Sequence, residues 1–539
     1  MTDTQSRPGV RALVDLGGRS PWSTLPPLIL GFFMIMLDTT IVNIAVPTLV
    51  TDLDADLVAV GWVNSAYLLS YATLLLLAGR LGDRFGSRGV FLVGLVVFTA
   101  ASAWCGLSGH IGVLIAARVV QGIGAALMTP QTMAIITRVF PPDKRGAAMG
   151  LWGATAGVAT IAGPLLGGVF IEYVSWEWIF FINVPVGVVA LVLALRYLPR
   201  LETHATTFDV LGVVLSVVGL GAFVFGVQEG SSYDWGTIVG PISVWSIIGL
   251  GVVVLGIFVW WQGRQGSAAL MPLALFRNRT FALSNVSGMA ISFAMIGIFF
   301  PLTIFLQSIL GLSPIQAALI NLPSSLVSGV VAPLAGRLSD RLPGKWVVST
   351  GFAFLAVGVG IVAAMITPDL VAWHLVFPML LFGAGTGMVF SPLANLATSG
   401  LDATTAGAGA GAFNTTRQMG GVLGSAVIVA SLTSRLSVEL PAAGRAAADG
   451  IPADFRQQFL DALTTMSGQL SMDAAGGPAG GFELPDGIPA AVKDQIVAVV
   501  TGVIHSGFAS ATAQTLLVAV AVLVVGLVVS LLIPARATR

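Results

Sequence analysis

Asp38 is a lone carboxylate within the apolar run 27–50, and Arg118 is a lone guanidinium within the run 112–135. An ionisable side chain at membrane depth costs roughly 3 kcal/mol on insertion scales, so each marks a functional position. Burial disfavours the charged form of a carboxylate and a neighbouring cation favours it. That balance lets Asp38 take up and release a proton near physiological pH. A guanidinium stays charged, so Arg118 cannot carry the proton itself. It can hold Asp38 ionised until substrate or conformation separates them. The alternatives are a permanent salt bridge that only locks helix packing, or an Arg118 that binds backbone carbonyls or an anionic substrate group.

Other polar residues join these two. Thr39 and Asn43, spaced i and i+4, add a polar stripe to the Asp38 helix. Gln121 follows Arg118 by one turn. Asn414, Arg417 and Gln418 share a face at i, i+3 and i+4, and this second buried arginine could accept a carboxylate or lock a conformation. With Trp152, the residues Asn43, Gln121, Asn414, Arg417 and Gln418 form the candidate substrate cavity. Trp62, Tyr67, Phe293, Met295, Phe299 and Phe300 either line an apolar cavity or pack against core and lipid.

The elements that must position these residues are membrane helices. The chain has 539 residues, 56% hydrophobic and 9% charged, with mean hydropathy +0.92. Apolar runs at 27–50, 59–79, 89–107, 112–135, 147–171, 178–197, 211–229, 240–261, 280–308, 315–336, 346–367, 374–397, 408–432 and 509–533 are long enough to span a bilayer. The fold class expected is an all-α polytopic membrane protein with fourteen spans. The short connections after odd-numbered spans hold no Lys or Arg, whereas the tails and the connections after even-numbered spans hold most of the 25. The positive-inside rule puts both termini in the cytoplasm. The first run, lacking a cleavage site, reads as a retained helix.

GRLGDRFGSR (79–88) returns as GRLSDRLPGK (336–345), each between the second and third spans of a six-span block. Internal repetition of this kind marks transporters built from two related halves. The expected organisation is a tail (1–26), a six-helix bundle (27–200), two inserted helices (201–265) and a second six-helix bundle (266–539). Residues 433–508 read as a long external loop, either poorly ordered or with a short amphipathic helix at 454–466.

LDTTIVNIAVP (37–47), GRLGDRFGSR (79–88), RVVQGIGAA (118–126), GPLLGG (163–168), WIFFINVPVG (178–187) and FNTTRQMGG (413–421) occur in one order along the chain. The set resembles that of the major facilitator superfamily, and within it the fourteen-helix drug:proton antiporters of the EmrB/QacA type. The resemblance implies the major facilitator fold in a bacterial cytoplasmic membrane. It implies that Gly79, Asp83, Arg84 and Arg88, with Arg337, Asp340 and Arg341 of the second copy, gate the cytoplasmic side. It also implies that Gly163, Pro164, Gly167 and Gly168 form an antiporter motif, whose small residues let helices approach closely. The expected function is export of lipophilic, cationic compounds in exchange for protons, with Asp38 and Arg118 as the coupling pair.

The expected partners are a lipophilic small molecule, protons and membrane lipids. A net charge of zero gives no reason for a nucleic-acid partner. One cysteine, Cys105, excludes an intramolecular disulfide. No P-loop, HExxH or Cys/His cluster occurs, so neither an enzyme nor a cofactor is expected. Export of an endogenous metabolite, antibiotic or lipid, proton-coupled import, and a non-transporting sensor or lipid-binding scaffold stand as alternatives.

Overall fold

The computed structural model describes residues 19–55, 57–201, 209–230, 233, 235–402, 405–447, 456 and 490–535. Long helices dominate: α1 (Leu25–Asp52), α2 (Leu57–Phe85), α3 (Ser87–Gly106), α4 (Ile111–Val139), α5 (Pro142–Tyr173), α6 (Asn183–Tyr197), α7 (Val210–Gln228), α8 (Val244–Gln265), α9 (Arg279–Ile304), α10 (Pro314–Arg341), α11 (Gly344–Met365), α12 (Val376–Thr398), α13 (Ala406–Ala447) and α14 (Ala490–Leu531). Among the described residues, thirteen helices are long and apolar enough to cross a membrane. The remaining long helix, α5, has 32 residues, about 48 Å at 1.5 Å per residue. A two-stranded antiparallel pair, β1 (Thr237–Val239) and β2 (Ile242–Ser243), joins α7 to α8.

Local sequence sets several helix starts. Ser313 and Gln316 form a capping box at α10, Asn278 accepts from Thr280 N (3.0 Å) at α9, and Asp209 accepts from Gly212 N (2.8 Å) at α7. The helix α2 runs through GRLGDRF and stops only at Gly86, whose φ of 91° suits glycine. Much of the first repeat motif is thus helical, where a loop was expected.

Helices α1–α6 pack among themselves, as do α9–α14, and the two groups meet where α5 lies along α10 and α2 along α13. Close crossings recur in matching places. A Cβ on Gly124 would lie 2.6 Å from Phe98 N, and one on Gly385 would lie 2.7 Å from Leu355 Cγ. Both positions demand glycine because helix backbone is in the way. Gly124→Val is expected to destabilise the protein by about 1–3 kcal/mol through overpacking, read as a lower melting temperature in detergent.

The long external loop is a further expectation that the structure overturns. The segment 433–508 is not a loop throughout, because α13 continues to Ala447 and α14 begins at Ala490. Leu432, Leu436 and Leu440 are buried at four-residue spacing, and Gly507 crosses Leu440 closely enough that a Cβ would lie 2.8 Å from its Cδ2. Glu439 accepts from Ser510 Oγ (2.7 Å) and Gln514 Nε2 (2.6 Å), tying the two extensions together. The amphipathic stretch expected at 454–466 lies, apart from Arg456, outside the described residues.

Candidate functional site

Asp38 and Arg118 meet. Both are fully buried, and Arg118 Nη1 donates to Asp38 Oδ2. The second carboxylate oxygen, Oδ1, accepts from Gln121 Nε2 (2.9 Å) and stands 3.5 Å from Asn183 Nδ2. Gln121 and Asn183 also donate to Ser102 Oγ (3.0 and 3.1 Å). Arg118 Nη1 donates to Gln121 Oε1 (2.7 Å) and Nε to Val63 O (2.9 Å), while the ring of Tyr67 covers the guanidinium at 4.2 Å. Side chains from α1, α2, α3, α4 and α6 thus converge on one ion pair. A buried pair needs such a shell, since its mutual attraction alone does not recover the desolvation of two charges.

Ser102 and Asn183 were not singled out in the sequence. Asn183 is the one strongly polar residue in WIFFINVPVG, and that was the available signal. Gln121, expected in the substrate cavity, belongs to this enclosed network instead. The side chains of Asn43 and Pro164 lie outside the described set.

The helix α5 crosses α1 beside this network. A Cβ on Gly163 would strike Thr40 Oγ1, and one on Gly167 would lie 3.1 Å from Ile41 Cγ1. Gly168 faces open space, so close packing accounts for only two of the expected antiporter-motif glycines.

At the end carrying the basic connections, Asp83 and Asp340 do matching work. Asp83 Oδ1 and Oδ2 accept from Gly407 N and Ala408 N (both 2.8 Å), the first turn of α13. Asp340 Oδ1 and Oδ2 accept from Gly146 N (2.8 Å) and Ala147 N (3.0 Å), in the second turn of α5, which begins at Pro142. Each carboxylate therefore binds backbone N–H groups of a helix in the other group, Asp83 at the positive end of α13 and Asp340 one turn inside α5. Gly79 is pressed to Gly407 and Gly336 to Gly146, leaving no room for a Cβ at any of the four.

Arg138 Nη2 reaches Asp83 Oδ1 at 3.3 Å, whereas Arg337 and Arg341 are exposed. Arg88 Nη2 donates to Leu195 O (2.8 Å), a contact within α1–α6, and Arg84 lies 5.4 Å over the ring of Phe85. Surface arginines near a helix end solvate readily, and the two carboxylates bind backbone N–H groups of the opposite group.

Between α5 and the second group lies a small cavity of about 60 Å³. Its wall comprises Gly153, Ala156 and Gly157 of α5, Met295 and Phe299 of α9, Ser324, Ser325, Ser328 and Ala332 of α10, and Phe382, Gly383, Thr386, Gly387 and Phe390 of α12. Trp152 stacks between Phe32 (4.2 Å) and Phe390 (5.9 Å), and Arg417 lies 4.7 Å over the ring of Phe390. Asn414 is buried and directs Nδ2 at Met133 Sδ (3.2 Å), and Gln418 is half-buried. Trp62 packs on Phe225 of α7, away from the cavity.

Two related helix groups closed across one end, with a cavity between them, are the anatomy of an alternating-access carrier. Residues 28–425 match the profile of the Major Facilitator Superfamily. The chain belongs to that superfamily. An uncharacterized MFS-type transporter of Mycobacterium tuberculosis is 46% identical, over 78% of this chain and 72% of that protein. The tetracenomycin C resistance and export protein of Streptomyces glaucescens is 35% identical, over 82% and 81%. Among solved structures, the human organic anion transporter MFSD10 superposes with a TM-score of 0.57 at 13% identity, over 94% of this chain and 100% of that one, a likeness of fold alone. As a superfamily member the chain is a multi-pass transporter of the bacterial cytoplasmic membrane, and not an enzyme.

Proposed function

We propose that this chain exports lipophilic, drug-like compounds across the cytoplasmic membrane in exchange for protons. The reading rests on Asp38, a carboxylate held in the membrane interior by a cation that cannot itself titrate. Proton uptake from the outer side releases Arg118, and the freed arginine and Gln121 shift α1 against α4. Because Gly163 and Gly167 of α5 meet α1 at Thr40 and Ile41, two and three residues beyond Asp38, that shift reaches the helix that forms one wall of the cavity. Residues 27–200 and 266–539 move as the two halves, and 201–265 ride as an inserted hairpin on α2 and α13. Opening the cytoplasmic side then requires Asp83 and Asp340 to release α13 and α5.

The relatives named for resistance and export support the direction of transport. A deprotonated Asp38 open to the cavity would attract a cationic substrate. In the structure Asp38 is enclosed by α1–α6, and the cavity wall carries hydroxyls and aromatic rings without a charged side chain. The charge preference of the substrate must therefore be set by another residue.

Everted vesicles containing the protein are expected to accumulate a fluorescent lipophilic compound when their interior is acid. A protonophore should collapse that accumulation. Accumulation indifferent to the protonophore would overturn the proton coupling, and none for compounds of any charge would overturn the export reading.

A further inference from the structure

Arg417 is the charged residue that the coupling network and the gate leave unused. It lies on α13, eleven residues from the start of that helix, and is 9% exposed. Asp38 and Arg118 cancel each other. Among the described residues, no carboxylate lies within ion-pair distance of Arg417; its guanidinium lies over the face of Phe390, and Tyr71 is the ionisable side chain that acts on it. A ring face offsets only part of what a cation loses on leaving water. The membrane interior around the cavity therefore carries one uncompensated positive charge.

Its surroundings are arranged for a flat ligand. Phe390 touches three things at once: the guanidinium on one side, the indole of Trp152 on a stack tilted by 25°, and the cavity that it lines. Trp152 is fully buried, and its Nε1 donor has no partner. Asn414, one turn before Arg417, is also buried with Oδ1 unpartnered. Phe299 and Phe382 add an edge-to-face aromatic pair to the wall, at 5.5 Å, and Ser328 and Thr386 add hydroxyls. Phe390 thus touches both the guanidinium and this space.

We infer that Arg417 is a substrate-binding residue for an anionic group, so that the exported compounds are aromatic anions such as carboxylates, sulfonates or phenolates. The ring system packs in the cavity against Phe390 and Phe382, and the anionic group replaces the ring face as the partner of the guanidinium, with Trp152 Nε1 as a further donor. This deepens the export reading and rests on it. A permanent helix lock would instead pair Arg417 with a carboxylate or with helix-end carbonyls, as Arg145 pairs with Thr137 O (2.6 Å).

The test uses three anthracenes differing only in charge: anthracene-9-carboxylate, anthracene-9-methanol and 9-(aminomethyl)anthracene. Binding to the purified protein is read by energy transfer from tryptophan. Wild type is expected to bind the carboxylate at least about 10-fold more tightly than the amine. Arg417→Gln should erase that preference, Arg417→Lys should keep part of it, and the alcohol should bind all three proteins alike. Equal binding of carboxylate and amine by wild type overturns the inference without recourse to any variant, as does a preference that survives in Arg417→Gln. Should Arg417→Gln fail to bind the alcohol, Arg417→Lys and the wild-type preference decide the matter. Accumulation in everted vesicles separates the two readings. Uptake of the amine but not the carboxylate sinks the anion site and leaves export standing. Arg417-dependent binding of the carboxylate with no uptake of any probe supports the anion site and overturns export.

Discussion

Asp38→Asn is expected to abolish gradient-driven efflux and to lower the stability of the purified protein by about 3–5 kcal/mol, because it leaves a buried charge without its partner. Both members of the pair are fully buried, and the shell around them is built for opposite charges: Gln121 and Asn183 point donors at Asp38, while Val63 O and the Tyr67 ring receive Arg118. Removing the carboxylate charge alone strands the guanidinium. The double variant Asp38→Asn, Arg118→Gln should recover most of the stability, since two amides of similar size can bond to each other and to Gln121. It should not recover transport, since no group remains to carry the proton. Thermal unfolding in detergent and pH-driven uptake, measured on the same preparations, separate the two effects. A double variant as unstable as Asp38→Asn would mean that the pair is not the unit of stability proposed. Gradient-driven uptake by either protein would move the coupling to another carboxylate.

Half of this site was legible along the chain, and the physics of the two halves differs. Asp38 and Arg118 stand out because an ionisable group in an apolar run is costly and therefore conspicuous. Ser102 and Asn183 do not, because serine and asparagine are tolerated in membrane helices for many reasons and only the fold brings α3 and α6 to the carboxylate. The gate divides the same way. Repetition exposed Asp83 and Asp340, but what they bind is backbone N–H of α13 and α5, which leaves no side-chain signature. The arginines flanking them, at 337 and 341, drew attention by charge and turned out exposed. Loop 433–508 was misread at both ends because Gly, Ala and Pro set its composition. The helical signal there was a spacing, Leu432, Leu436 and Leu440, inside polar sequence. At Arg417 the residue was evident, but not its isolation from any carboxylate, which needed the surrounding helices in place.

Asp83→Asn is expected to open the cytoplasmic side by about 30- to 100-fold in the conformational equilibrium. Each bond from a backbone N–H to an ionised carboxylate contributes about 1.5–3 kcal/mol, and the helix end adds roughly 0.3–1 kcal/mol. An amide keeps one acceptor and loses both the second and the charge, a deficit of roughly 2–3 kcal/mol, and each 1.4 kcal/mol is a factor of ten. Asp340→Asn should act in the same direction but less strongly, since Asp83 is fully buried and also meets Arg138, whereas Asp340 is half-buried. The two sites share no partner, so their effects should add. The readout is labelling of Ser328→Cys, a cavity residue, by an impermeant maleimide in everted vesicles whose outer face is cytoplasmic. The buried Cys105 is replaced by Ser in this background. Wild type should label slowly, each single variant faster, and the double variant fastest. Gly79→Val should mimic the double variant with both carboxylates intact, because a side chain there cannot coexist with Gly407 and Gly411. Unchanged labelling in Gly79→Val and in the double variant would move the cytoplasmic barrier to the Phe32–Trp152–Phe390 stack that crosses from α1 and α5 to α12.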